Sequence, residues 1–187
     1  MTQVKSKLNK IVVLLLTALI GVLIGYFLPH KSFVITKEIQ TLYGVVEVID
    51  GDTIRVDYEG RIETVRLIGI DTPEVSSPYH SEEECFGKEA AQYARQLLEK
   101  QLVYLIKDPA HSNRDKYNRL LRYVFLEDGT LINAKLIKEG YAFNYIYEPF
   151  QFMKQFDYLE KQAKENRIGL WSDKCNYYFE VGRAANK

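Results

Sequence analysis

The hydrophobic patterning of this chain predicts an α+β domain: five β-strands closing into a small barrel, accompanied by three α-helices and preceded by one N-terminal transmembrane segment. Three observations predict it. Five short runs rich in β-branched and aromatic residues lie between Tyr43 and Leu126, as half-buried strands require. Three further stretches repeat apolar residues at three- and four-residue spacing, the mark of amphipathic helices. An uncharged run from Ile11 to Leu28 matches the ~17–25 residues needed to cross a hydrocarbon core.

The N-terminal run comes first. Lys5, Lys7 and Lys10 precede it and should stay in the cytoplasm by the positive-inside rule, which exports everything after it. Two readings compete, a cleaved signal peptide and an uncleaved anchor. The run exceeds the ~7–15 apolar residues of a signal peptide. Gly25 to Pro29 also offers no small-x-small cleavage site, and both points favour the anchor. The expected organisation is a basic cytoplasmic segment (1–10), a transmembrane anchor (11–28), a tether (29–41), a folded domain (42–174) and a tail (175–187). No acidic residue occurs before Glu38, and the formal net charge is +0, so the exported part is mildly acidic. That excludes binding of nucleic acid by bulk charge and leaves only a local site, with a metal cation supplying charge.

Tyr43–Ile49 reads as the first strand and Asp50-Gly51-Asp52 as a turn. Thr53–Tyr58 alternates as a second strand, Glu59-Gly60 forms a hairpin turn, and Arg61–Ile70 is a third strand ended by Asp71-Thr72-Pro73. Val75–Glu84 is a polar, acidic loop. Lys88–Lys100 places Ala91, Ala94, Leu97 and Leu98 at helical spacing, and Leu102–Ile106 returns to strand. Asp108–Arg119 is a polar loop before the strand Leu120–Leu126. Asp128-Gly129 turns into a short helix, Leu131–Glu139, which Gly140 ends. A last helix runs from Phe150 to Asn166, with Phe152, Phe156, Leu159 and Ala163 on one stripe. One helix between the third and fourth strands and two after the fifth suit a five-stranded barrel of the OB type. Cys85 and Cys175 both fall on the exported side, where disulfides persist. They are either bonded to each other or two thiols.

Asp52 follows the first strand and Asp71 ends the third. A three-stranded meander can bring those two ends together, and paired carboxylates make a hard-cation site. Arg66 lies just before Asp71, Glu74 just after it, and Lys116 and Arg119 on the polar loop. Phosphodiester hydrolysis uses such a set. A metal polarises the phosphoryl oxygen, a glutamate takes the proton of water, and arginine forks hold the phosphate. Taken singly, each residue is equally at home in a turn or on a solvated face.

Three segments together carry more. Val48-Ile49-Asp50-Gly51-Asp52-Thr53, then Arg66 to Glu74 (RLIGIDTPE), then Asp115-Lys116-Tyr117-Asn118-Arg119 resemble the signature segments of the staphylococcal nuclease family. Gly87-Lys88-Glu89-Ala90 and Gly169-Leu170-Trp171-Ser172 extend the resemblance, which spans Leu42 to Asp173. It implies an OB-fold barrel and a Ca2+-dependent endonuclease that hydrolyses DNA and RNA and leaves 3′-phosphate ends. It implies that Asp52 and Asp71 bind calcium through carboxylates and Thr72 through its carbonyl. It assigns Glu74 as general base and Arg66 and Arg119 to the reacting phosphate. Lys116, Tyr117, Tyr145 and Tyr147 would hold the nucleotide. Asp50 is either a support to the metal ligands or a simple turn residue, and Trp171 and Asn133 read as structural. The enzyme is expected to be a monomer without a protein partner, bound to the membrane through residues 11–28.

Asn118 stands where the family usually has glycine, a mild departure because asparagine tolerates left-handed backbone. Glu82, Glu83 and Glu84 replace lysines common in that loop, which bears on substrate affinity rather than on chemistry. Two other readings remain: a binding module that has no catalysis, and a tethered protein that holds calcium only for stability.

Overall fold

The computed structural model describes residues 41–75, 84–175 and 177. The anchor at 11–28, the tether, Glu82 and Glu83, and most of the tail lie outside the described residues. Among the described residues no helix is long and apolar enough to cross a membrane.

Five strands close a barrel: β1 (Leu42–Val48), β2 (Thr53–Tyr58), β3 (Arg61–Leu67), β5 (Leu102–Ile106) and β6 (Leu120–Leu126). β4 (Ile70–Asp71) stands apart and pairs with β7 (Phe143–Asn144). β1, β2 and β3 form an antiparallel meander. β6 joins β3 in parallel, and β5 closes the ring between β6 and β1. Alternation explains the strands: Ile54 and Val56 of β2 point inward while Arg55 and Asp57 face out. Ile54, Val56, Val65, Leu67, Val103 and Val124 are all buried in one core, and each such side chain contributes roughly 1.5–3 kcal/mol on leaving water.

The β2–β3 hairpin turns through Glu59 and Gly60, whose φ values of 56° and 79° match the right-handed twist of the strands. Helix α1 (Gly87–Leu98) lays Ala90, Ala91, Ala94 and Leu98 on the barrel. Helix α2 (Ile132–Lys138) buries Ile132, Leu136 and Ile137, and the chain leaves it through Gly140 at φ 70°. Helix α3 (Met153–Glu165) buries Phe156 and Ala163. It begins later than its apolar stripe predicts, because the Gln151 N–H turns away to the Asp108 carboxylate, 2.7 Å distant.

The third strand does not run through to Ile70 as its composition suggests. It stops at Leu67, and Gly69 at φ 75° makes a corner into which the Phe150 ring packs. A Cβ at Gly69 would lie 2.6 Å from that ring. Asn133, fully buried, holds the corner: its Nδ2 donates to the Ile68 carbonyl at 2.9 Å and its Oδ1 accepts from Val124 N–H at 3.0 Å. The corner aims Asp71 back toward the end of β1.

Asp108 anchors the other loop. It is fully buried and accepts from the N–H groups of Ala110 and Gln151 and from the Tyr123 hydroxyl. Burial alone would raise its pKa, but these hydrogen bonds and the nearby His111 outweigh that and hold it below the usual carboxylate range. Burial and the same pairing push the Tyr123 phenol well above its ordinary value. Cys85 and Cys175 are joined in a disulfide, which closes a loop across 90 residues of sequence separation.

Candidate active site

The two loop systems meet over one cleft of about 750 Å³. Asp50, Asp52, Arg66, Asp71, Glu74, Lys116, Tyr117, Arg119 and Tyr145 all line it. Thr72 and Tyr147 do not, although the Tyr147 ring lies 5.1 Å from that of Tyr145.

Asp52 sits at the floor, 6% exposed. Its Oδ1 accepts from the Thr53 hydroxyl at 2.9 Å. Its Oδ2 accepts from the Thr72 N–H at 3.0 Å and from the Thr72 hydroxyl at 3.2 Å. The turn and Thr72 approach this closely because residue 51 is glycine; a Cβ there would lie 2.7 Å from the Thr72 side chain. Arg66 reaches across from β3. Its Nη2 lies 3.1 Å from both Asp52 Oδ2 and Asp71 Oδ1, while its Nη1 donates to the carbonyls of Leu67 and Ile70. One guanidinium thus orders both sides of the corner.

Asp50 accepts the Asp52 N–H at 3.1 Å. Burial and the Asp52 charge push its pKa up to about 7, against the opposing pull of that N–H and of Arg66. Asp52 and Asp71 share the single Arg66 guanidinium, and Asp50 stands close enough for its own charge to be disfavoured by that of Asp52. Among the described residues no group of three or more His, Cys, Asp or Glu side chains is arranged around a single point as a metal cluster. The residues present still fit a hard cation. The donors at this corner, the Asp52 and Asp71 carboxylates and Thr72, are oxygen, Asp52 and Asp71 face each other across Arg66, and calcium completes 6–8 ligands with carbonyls and water.

Glu74 enters the cleft on irregular backbone after Pro73. Its N–H donates to Glu84 Oε2 at 2.7 Å and its carbonyl accepts the Glu84 N–H at 3.0 Å.

On the far side, Asp115 organises the loop. Its Oδ1 accepts from the N–H groups of Tyr117 and Arg119, both at 2.9 Å, and its Oδ2 accepts Arg119 Nε at 2.7 Å. Burial works to raise the Asp115 pKa, but the Arg119 bonds outweigh it and hold it low. Asn118 takes φ 67°, the left-handed conformation expected of a position usually glycine. The loop is bolted to β3 by a two-pronged Arg114–Glu63 pair at 2.7 and 2.9 Å. The Lys116 ammonium and the Arg119 guanidinium lie 5.0 and 5.4 Å from the exposed Tyr117 ring. Lys116, Arg119 and the Tyr117 ring therefore meet at one edge of the cleft.

With that geometry in view, comparison with known proteins is decisive. A family model described as staphylococcal nuclease homologue matches residues 64–173. The chain belongs to the staphylococcal nuclease family. It is 36% identical over 146 residues to the thermonuclease of Staphylococcus hyicus, covering 78% of this chain and 84% of that one. Similarity to the thermonuclease of Staphylococcus intermedius is 39% over 130 residues, or 69% of this chain and 75% of the relative. Endonuclease YncB of Bacillus subtilis is 40% identical over 126 residues, which is 66% of this chain and 58% of that protein.

Several contacts around the cleft were not legible in the sequence. Glu84, Arg114 with Glu63, and the His111–Glu148 pair at 3.3 Å all shape the cleft or its rim. Each acts through a partner distant in sequence, and a single chain carries no signal for such pairs.

Proposed function

We propose that this protein is a Ca2+-dependent nuclease that hydrolyses phosphodiester bonds of DNA and RNA outside the cytoplasm and leaves 3′-phosphate ends. The observation that carries the reading is the convergence of Arg66, Glu74 and Arg119 on one cleft floored by Asp52 and Asp71. Names of the family relatives point the same way.

Asp52 and Asp71, with the Thr72 carbonyl, would hold the calcium. Bound there, the ion supplies Lewis acidity toward a phosphoryl oxygen and lowers the cost of ionising water. Arg66 and Arg119 bind the non-bridging phosphoryl oxygens and stabilise the charge that develops on them. Asp115 fixes Arg119 by its Nε, and among the described residues its Nη groups have no hydrogen-bond partner, which leaves that edge for phosphate. Glu74 accepts a proton from the attacking water as the new oxygen–phosphorus bond forms. The bond from phosphorus to the 5′-oxygen breaks, that oxygen takes a proton, and the phosphate stays on the 3′ side. Tyr117, Tyr145 and Tyr147 offer flat faces for bases, which suits single strands and is indifferent to sequence. Lys116 adds phosphate attraction at the rim.

An exported position rests on the Ile11–Leu28 run and its preceding lysines; the Cys85–Cys175 bond is in keeping with an oxidising compartment.

The test is cleavage of single-stranded DNA, duplex DNA and RNA with calcium, magnesium or a chelator. Calcium-dependent cutting is expected, with products that resist 3′ extension until dephosphorylated. Products with extendable 3′-hydroxyls, or equal cutting in chelator, would overturn these assignments.

A further inference from the structure

Glu74 sits outside every strand and helix, so no backbone ladder sets the direction of its carboxylate. Its backbone is instead gripped at three points by one short segment. Glu84 makes a reciprocal pair with it, side chain to N–H at 2.7 Å and N–H to carbonyl at 3.0 Å. Gly87, the first residue of α1, backs onto the same peptide so closely that a Cβ would lie 2.4 Å from the Glu74 carbonyl oxygen. The Gly87 N–H in turn donates to the Glu84 carbonyl at 3.0 Å.

That segment is itself pinned from the opposite side. Cys85 is bonded to Cys175, and its carbonyl accepts the Tyr177 hydroxyl at 2.8 Å. Lys174 pairs with Glu89 in the first turn of α1 and lies 5.6 Å from the Phe86 ring. Phe86, between the disulfide and Gly87, holds φ 74°. A bulky residue keeps left-handed backbone only where its neighbours over-determine it, and here they do.

We propose that Glu84 is a positioning residue for Glu74, and that the Cys85–Cys175 disulfide anchors it, so that catalysis depends on the oxidised chain. This inference rests on the reading of Glu74 as the proton acceptor. The carboxylate of Glu84 works through the Glu74 amide, a charge-assisted bond stronger than a neutral one. Misplacing a catalytic group by about 1 Å can cost on the order of 10²-fold in rate. Reduction by dithiothreitol adds two electrons and two protons to the disulfide, giving two thiols and cyclic oxidised dithiothreitol, and cuts the tether without chemically altering any side chain that lines the cleft.

The experiment measures kcat and KM of the full-length chain on single-stranded DNA at saturating calcium. It compares wild type with Glu74→Gln, Glu84→Ala, Glu84→Gln, Gly87→Ala and the Cys85→Ser/Cys175→Ser double variant. Glu84→Ala is expected to lower kcat by about ten-fold or more with KM nearly unchanged. Glu84→Gln, which keeps an acceptor for the Glu74 N–H, should recover most of that loss. Dithiothreitol should lower the wild-type kcat to that of the double variant and leave the double variant as it was. Should Glu84→Ala fail to fold, Gly87→Ala and reduced wild type carry the comparison: a fall in kcat in both supports the proposal, and no fall in either overturns it. A lower melting temperature with unchanged kcat would mean that the segment only stabilises the fold, and would also overturn it. Wild type that cuts while Glu74→Gln does not, with Glu84→Ala and reduced enzyme unaffected, defeats this inference alone. Wild type that never cuts defeats the nuclease reading and this inference with it.

Discussion

Replacing Asn133 by alanine removes hydrogen bonds from the middle of the domain, one to the Ile68 carbonyl at 2.9 Å, one from the Val124 N–H at 3.0 Å and a longer one to the Arg122 carbonyl at 3.5 Å. The two shorter bonds are sealed from water, since Asn133 and Val124 are fully buried and Ile68 is 3% exposed. The Ile68 carbonyl and the Val124 N–H would each lose this partner, at ~1–3 kcal/mol per group left unsatisfied, so the variant should lose about 2–6 kcal/mol in total. Urea unfolding followed by circular dichroism measures it. Mid-range values, about 4 kcal/mol against an m of about 2 kcal/mol per molar, put the fall in midpoint at about 2 M at unchanged m. Activity should fall as well in the variant that remains folded, because the Ile68–Gly69 corner directs both Arg66 Nη1 and Asp71. A loss under about 1 kcal/mol would refute the reasoning and show that water or a shifted backbone satisfies those groups.

Other consequences follow from the same geometry. Asp108 has a depressed folded pKa, so its stabilisation is present above its unfolded value of about 3.9 and is lost as pH falls below it; Asp108→Asn should lower stability at neutral pH and flatten the acid limb of the unfolding curve. Asp115→Ala frees Arg119 Nε and the loop amides, and should reduce kcat by roughly ten-fold or more while global stability falls by about 1–3 kcal/mol, read by single-turnover cleavage and melting. Gly51→Ala drives a Cβ into Thr72 and through it displaces Asp52, so calorimetry should find weaker calcium binding. Loss of the disulfide should cost at most about 4–5 kcal/mol by loop entropy, visible as a lower urea midpoint.

The barrel strands were legible where local pattern and tertiary role agree. Thr53–Tyr58, which alternates, and the apolar runs Leu102–Ile106 and Leu120–Leu126 appear with the bounds read from the sequence. Arg61–Ile70 was over-extended because Ile68 and Ile70 look like strand residues; what breaks the strand is Gly69 and a buried asparagine far along the chain. The short β4–β7 pairing has too few residues to leave a period in the sequence. The tail of α3 could be placed from its stripe, but its start could not, because Asp108 captures the Gln151 amide. The site divides in the same way. Asp52, Arg66, Asp71 and Glu74 lie in two compact segments and could be named from them, whereas Glu84, Glu63 and Arg114 matter only through long-range partners. The cysteine pairing was undecided in sequence because spacing says nothing about proximity, and the fold brings the two Cα atoms to 5.8 Å.

The central claim is that Glu74, Arg66 and Arg119 act together on a phosphodiester held over calcium. The most direct measurement is cleavage of single-stranded DNA by the full-length chain and by Glu74→Gln, with calcium and with a calcium chelator. Calcium-dependent cutting by wild type, reduced by at least about 10²-fold in a folded Glu74→Gln that still binds calcium, is the predicted result. A folded wild type that binds nucleic acid without cutting it, or a Glu74→Gln that cuts as well as wild type, would contradict the account.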